Sequence, residues 1–439
     1  MSAAYELDEV ADALLRAIAP AGEGWTLLWA AAPTALLDHA SAGTPRDGAG
    51  PAHTEATKTL LASVGRGRGS TLTMVGDVLF AYEGANPAAT LEPVIDAVAR
   101  GRGSAPAVRT VRPPVVDLAR GLQARRRATQ AAAKELPAGL PESLTRALQA
   151  AVRATTRATA ALDALRPRLV VLASQHSTSS RSFIHAARQR AIPTAYLPHA
   201  PVADTYQYRD LPTDFAGLRG PREVDFYRAL GAAGDLAVVG NPQGDVVPPA
   251  RLDPAAAVIF APRPQSPEQL RAQIAEVAAA APEVVVSPHP RMRGKARYDD
   301  LWPAHWAVHD GWTADLLRRD HPCVIQRSSG VAWEAMAHGV PVIELATDSD
   351  APPAYLVIRE PYARLCRAGA ELGPAVAASR TDAGDPMARQ RLTMWAAEWC
   401  SATGRDAVEQ AAAWVEDCAA APGPAGPLLD HWAPTRAAA

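Results

Sequence analysis

Two segments carry the residue types that handle anions. The first is Cys323 to Leu345, read as strand, polar turn, short helix, glycine stop and strand. Arg327, Ser328, Ser329 and Gly330 make the turn, Val331 to His338 hold helix formers, and Gly339 stands where a helix-ending glycine belongs. Hydroxyl side chains at a helix start cap backbone N–H groups, and the same end attracts phosphate. Gly330 removes the Cβ that would hold a ligand off. The turn therefore suits a diphosphate cradle, and it equally suits an ordinary capped helix. The second segment is Glu283 to Arg293, a β-branched strand (Val284 to Val286) closed by Ser287-Pro288 and followed by His289-Pro290. Ligands of open α/β sheets bind beyond the carboxyl ends of strands. His289, Arg291, Arg293 and Lys295 are thus placed for an anion, with Pro290 stiffening the loop; a solvated basic loop has the same composition.

The elements that must position these residues are α/β units. Leu169 to Ala173 and Thr194 to Leu197 are expected strands, with a polar loop Gln175 to Arg181 and a helix Ser182 to Arg190 between them. His176 and His199 then fall just past neighbouring strand ends. An imidazole there titrates near neutral pH, as a general base must. Leu236 to Val239 ends this unit, and the domain boundary is set at Gly240. Val258 to Ala261 begins the next unit, Ser266 to Ala281 is helical, and Thr313 is a candidate cap for a helix carrying Asp315. Upstream, Trp25 to Ala31 and Leu72 to Tyr82 are strand candidates. Gly65 to Ser70 is a surface turn, and Leu118 to Leu165 is helical with a break near Pro137 to Pro141. Met387 to Ala420 is expected to be one long amphipathic helix.

The His-Pro element, followed by a Ser-Ser element opening a helix that ends Gly-x-Pro, resembles the C-terminal half of bacterial GT-B transferases. These include capsule and teichoic-acid glycosyl- or glycerophosphotransferases and sialyl- and Kdo-transferases. Ile192-Pro193 to His199 and Val238-Val239-Gly240-Asn241-Pro242 are similar to the end of that group's first domain and its crossing. The resemblance implies an α/β, GT-B fold: two facing Rossmann-like domains, residues 1–240 and 241–420, an interdomain cleft, and a frayed tail over 421–439. It implies nucleotide-phosphate contacts at His289, Ser328 and Ser329 and a ribose contact at Glu334. Arg263, just past the first strand of the second domain, is placed at the nucleotide by the same likeness; Pro290, Arg291 and Gly330 join this expected site on the reading of the two segments above. His199 is the implied catalytic base. The expected reaction moves a sugar from a nucleotide-activated donor to a hydroxyl acceptor (a glycan or lipid-linked one), in surface polysaccharide synthesis, with no metal and no cofactor beyond the donor. Departures exist: no glycine-rich donor loop is visible near the N-terminus, and Ala200 follows His199. A CDP-glycerol-type transferase, a nucleotide-sugar 2-epimerase and a catalytically silent nucleotide-binding partner are the alternatives. The segment Glu344 to Asp350 lacks the Arg- and Glu-rich motif of the epimerase.

Composition limits the partners. The 439 residues carry a formal net charge of −2, so no general nucleic-acid affinity is expected. Cys323, Cys366, Cys400 and Cys418 lack metal or Cys-x-x-Cys spacing and read as reduced thiols. The acidic start (Glu6, Asp8, Glu9, Asp12) is opposite to a secretion signal, and no run of about twenty apolar residues spans a membrane. A cytoplasmic enzyme with at most peripheral membrane contact is expected.

Overall fold

The computed structural model describes residues 3–18, 25–41, 70–111, 115–135, 142–205, 208–290, 292–327, 329–346, 353, 355–421, 423 and 426–432. Among these the strands form two sheets. In the first, β1 (Thr71–Val75), β2 (Val78–Tyr82), β3 (Ala107–Arg109), β4 (Leu169–Leu172), β5 (Thr194–Tyr196), β6 (Phe215–Leu218) and β7 (Leu236–Val238) lie in the order β3-β1-β2-β4-β5-β6-β7. β2 and β4 to β7 are parallel; β1 and β3 add an antiparallel edge. In the second sheet, β8 (Val258–Ala261), β9 (Val284–Val286), β10 (Ala307–Val308), β11 (Val324–Gln326), β12 (Val342–Leu345) and β13 (Ala363–Cys366) are all parallel in the order β10-β9-β8-β11-β12-β13. That is the doubly wound order in which the chain reverses direction between its first and fourth strands. Fully buried, β-branched strands such as Val284-Val285-Val286 are what a sheet covered on both faces demands. Apolar layers cover both faces of each sheet, and one of them is shared: Ala216, Leu218 and Leu236 of the first sheet join Ile259, Val324 and Val342 of the second. The arrangement is α/β and GT-B: two Rossmann-like units with a cleft between them.

Several local expectations are corrected. Trp25 opens a helix, Trp25–Ser41, not a strand. A short apolar run fits either element, and here packing against the helices Ala3–Ile18 and Glu142–Leu165 decides it. Leu72 to Tyr82 is a hairpin turning at Gly76 (φ 58°). The loop expected over Gln175 to Arg181 is mostly helix: Thr178–Arg188 starts there, because Ser177 Oγ accepts the Ser180 N–H at 3.1 Å. Leu118 to Leu165 is helical on either side of 136–141, which lies outside the described residues, as does 65–69.

The long C-terminal helix is two helices, Pro386–Trp399 and Gly404–Ala420, broken over Cys400 to Thr403. The second lies within residues 241–420, the expected nucleotide domain, yet it crosses back and packs on the first sheet. Ala411, Val415 and Cys418 join Leu91, Val94 and Val98 in one apolar layer. Arg102 clamps Glu416 through Nε and Nη2, both at 2.7 Å. The two crossings touch: Asn241 N–H donates to Ala402 O (2.8 Å) and Gly404 N–H to Asn241 O (3.2 Å). The tail is packed as far as it is described. Leu429 bridges Leu211, and Trp432 is buried in the layer that holds Trp29.

Beside it lies a buried charge cluster. Arg181, fully buried, holds Asp210 at 2.5 Å and lies 4.6 Å over the Trp29 ring. Asp210 also accepts the His431 N–H at 2.7 Å, and Asp430 accepts Trp29 Nε1–H at 3.0 Å. The tail is thus fixed by hydrogen bonds that satisfy charges otherwise stranded in the core.

Candidate active-site cleft

A cleft of about 570 Å³ lies between the carboxyl ends of the two sheets. The second unit lines it with Pro262 and Arg263 after β8, Ser287, His289 and Pro290 after β9, and Ser329, Gly330 and Glu334 after β11. β8 and β11 flank the point where strand order reverses, the place where such sheets bind ligands. The first unit contributes His199 after β5, Arg219 after β6, and Gln243 from the crossing.

The turn after β11 is built by a buried network. Gln326 Oε1 accepts the Ser329 N–H at 2.7 Å, while its amide donates to Glu344, which also pairs with Arg327 at 2.9 Å. Arg327 is therefore an internal brace. Ser329 Oγ accepts the Val331 N–H at 3.4 Å, so the hydroxyl does sit at the helix start. Gly330 has a different neighbour from the one expected: a Cβ there would meet Pro201 Cδ of the first unit at 3.3 Å. Its bareness lets the two walls of the cleft approach. Ser328 and Arg291 lie outside the described residues.

Of the basic loop after β9, His289 and Pro290 reach the cleft, and Arg293 and Lys295 do not line it. Arg293 Nε donates to Pro288 O at 3.1 Å and Nη1 to Asp310 O at 2.6 Å, so this arginine pins the loop to its neighbour. Thr313 is inside its helix, whose N-cap is Trp312; its hydroxyl bonds Ser287 Oγ at 2.8 Å.

His199 Nδ1 bonds the Ala173 carbonyl. A carbonyl only accepts, so Nδ1 carries the proton and Nε2 of the neutral ring keeps a lone pair. Burial lowers the His199 pKa, the Ala173 bond opposes this, and the Arg219 charge lowers it further. The side chain is thus held as a neutral acceptor. Gln243 Nε2 braces the segment by donating to His199 O (2.8 Å) and Thr90 Oγ1 (2.9 Å). His176, the other histidine past a strand end, has its ring 6.5 Å from that of His199 and 4.9 Å from that of Tyr208. Burial pushes it down to about 3, so it stays neutral. It does not line the cleft.

Glu334 lines the same cleft from the second unit. Burial raises its carboxyl above the usual range, opposed by Arg219. Arg219 went unremarked in the sequence, although an arginine directly after a strand, in Leu218-Arg219-Gly220, is a readable signal. It is 3% exposed, and its guanidinium lies 4.2 Å over the Trp333 ring. Trp333 is itself fixed by Nε1–H donating to Ala396 O at 3.1 Å. Among the described residues no group of His, Cys, Asp and Glu has the arrangement to hold a metal ion. No helix among them is long and apolar enough to cross a membrane. All four cysteines are free and buried.

The class defined by this geometry is a two-unit α/β protein with its cleft at the switch point of a Rossmann-type sheet. Comparison with protein-family profiles finds no match, and comparison with curated proteins finds none. Among solved structures, the chain is similar to UDP-GlcNAc 2-epimerase from Neisseria meningitidis bound to UDP-GlcNAc (12% identity, TM-score 0.46, 75% of this chain and 95% of that one). It is similar to CalG4, the calicheamicin glycosyltransferase (17%, TM-score 0.47, 79% and 99%), and to UDP-GlcNAc 2-epimerase from Methanocaldococcus jannaschii (14%, TM-score 0.39, 67% and 89%).

Proposed function

We propose that the protein is a glycosyltransferase that moves a sugar from a nucleotide-activated donor to a hydroxyl acceptor. One observation carries this reading: a neutral histidine with its proton fixed on Nδ1 shares a cleft with the anion-suited switch point of the second sheet. The donor's phosphates would lie against Arg263, His289 and Ser329, with Glu334 bonding ribose hydroxyls. His199 Nε2 would take the acceptor hydroxyl's proton. The acceptor oxygen then bonds to the anomeric carbon as the sugar–phosphate bond breaks, and the nucleotide leaves with its charge balanced by Arg263 and His289. Removing one such contact is expected to cost about 2–4 kcal/mol of transition-state stabilisation.

A screen of melting temperature against CMP, CDP, UDP, GDP and dTDP and their common sugars tests the donor site, because a ligand bound to the folded state raises the transition. His289→Ala and Ser329→Ala should weaken the responding nucleotide. His199→Ala should preserve binding and stop turnover. Unchanged binding in both second-unit variants would overturn the site.

A second reading is supported by Glu334 and His199, two groups whose pKa values are driven in opposite directions across one cleft, as in acid–base pairs. Such a pair suits epimerisation of a nucleotide sugar without an acceptor. Deuterium uptake from solvent into a nucleotide sugar incubated alone with the protein would favour it.

A further inference from the structure

The first unit places a charge in the cleft that the donor site does not use. Arg219 follows β6, is almost wholly buried, and lines the cleft opposite Arg263 and His289. Its Nε has no hydrogen-bond partner. Burying a guanidinium N–H without a partner is costly, and such a group is either strained or a receptor. No neighbouring carboxylate among the described residues answers it with an ion pair. Glu223, the nearest acid in sequence, spends its two oxygens on backbone: Oε1 accepts Val202 N–H and Oε2 accepts Arg219's own N–H, both at 3.0 Å. Arg219 enters no ion pair among the described residues. Glu223 and Glu334 feel its charge without bonding the guanidinium, Tyr355 stands nearby as a neutral group, and the Cys400 thiol is in hydrogen-bonding contact with it, a weak acceptor that leaves the charge unpaired. Trp333 fixes the guanidinium plane from one side.

We infer that Arg219 is an oxyanion-binding residue for the acceptor, so that the acceptor carries a carboxylate or a phosphate close to its reacting hydroxyl. This rests on the transferase reading, in which the second unit holds the donor and His199 activates the acceptor. The two residues sit past adjacent strands, β5 and β6, so a substrate bridging them presents its anion to Arg219 and its hydroxyl to His199. There is a chemical gain. Arg219's charge weakens His199 as a base, and a bound anion cancels that charge, so the base strengthens only when the correct acceptor is in place.

Calorimetric titration with sulfate, a dianion over the whole working pH range, tests the site without the natural acceptor. Wild-type protein should bind sulfate at two sites. Arg219→Gln, which keeps a planar amide over Trp333, should weaken one of them on the order of tenfold to a hundredfold, as expected for hydrogen bonds to a charged group. The Arg263→Ala, His289→Ala double variant should lose the other and keep this one. Acetate that displaces sulfate from the Arg219 site assigns a carboxylate; sulfate that resists acetate assigns a phosphate. Identical sulfate binding by wild type and Arg219→Gln overturns the proposal. Should Arg219→Gln not fold, anomalous scattering from selenate soaked into wild-type crystals decides: a peak at the guanidinium supports the site, and peaks only elsewhere refute it. Nucleotide-induced melting shifts, read on the same variants, report the donor site separately, so either reading can fail alone.

Discussion

Gly220 is a severe test of how the two units are held together. It follows Arg219, has extended backbone (φ −158°), and carries no penalty for a side chain on conformational grounds. What excludes a side chain is contact. A Cβ at this position would lie 2.4 Å from the Trp399 carbonyl carbon and 2.7 Å from both Cys400 N and Trp399 O. Ordinary contact begins at 3.4 Å, so the backbones must separate by about 1 Å. No flexible side chain can give way, because all three of these neighbours are main-chain atoms. Overpacking of this kind costs typically about 1–3 kcal/mol, and the upper end applies where backbone meets backbone. The Ser401 N–H bond to Arg219 O (3.0 Å) would stretch with it. Gly220→Ala should therefore lower the unfolding free energy by about 2–3 kcal/mol, read as a lower urea midpoint with little change in slope, and weaken sulfate binding at the adjoining Arg219. Gly101→Ala is the matched control: it lies within the helix Ala85–Arg102, and nothing lies within 4 Å of its Cβ position. That exchange should stabilise by about 0.5 kcal/mol. A Gly220→Ala protein as stable as wild type would refute the close approach of these segments.

Other expectations follow from the buried charges and histidines. Asp210→Asn leaves Arg181 buried and unpaired and should cost about 3–5 kcal/mol, much of it regained in the Arg181→Met, Asp210→Asn double variant, by denaturant titration. Trp432→Ala should destabilise by about 3–5 kcal/mol; a value under about 1 would mean that the tail is not part of the core. His176 is neutral in the fold until about 3, whereas the unfolded chain takes its proton near 6.5. Stability should thus be intact above pH 6.5 and fall towards pH 3 by about 1.4 kcal/mol per pH unit from this group, a limb that His176→Gln should flatten in pH-dependent unfolding. Turnover should be independent of pH around neutrality and decline only on the acid side of the ordinary histidine range, since His199 is held below it.

The strands after Leu169 were legible because parallel strands buried on both faces are unbroken runs of Val, Ile and Leu. Their order was not, because pairing is set by helices crossing overhead. Cleft residues at strand ends were legible for the same positional reason: His199, Arg263, His289, Ser329 and Glu334 all fall on one edge. Arg293 shows the limit. Its type matched an anion site, yet three carbonyl-directed bonds commit it to its own loop, and nothing in the spacing distinguishes it from a ligand contact. Trp25 misled because an apolar run packed between helices has no period to read. The return of Gly404–Ala420 to the first sheet left no local trace, for its apolar face would suit either unit.

That return sets an order of events during synthesis. The first unit's two apolar layers include residues 411 to 419 and Trp432, so a ribosome that has already delivered the whole second sheet still leaves the first one with bare surfaces. The half made first is completed last. Nascent chains should therefore remain substrates for holding chaperones until nearly all of the described chain has emerged, and the first unit excised as an independent fragment should be soluble only if the closing helix is supplied with it.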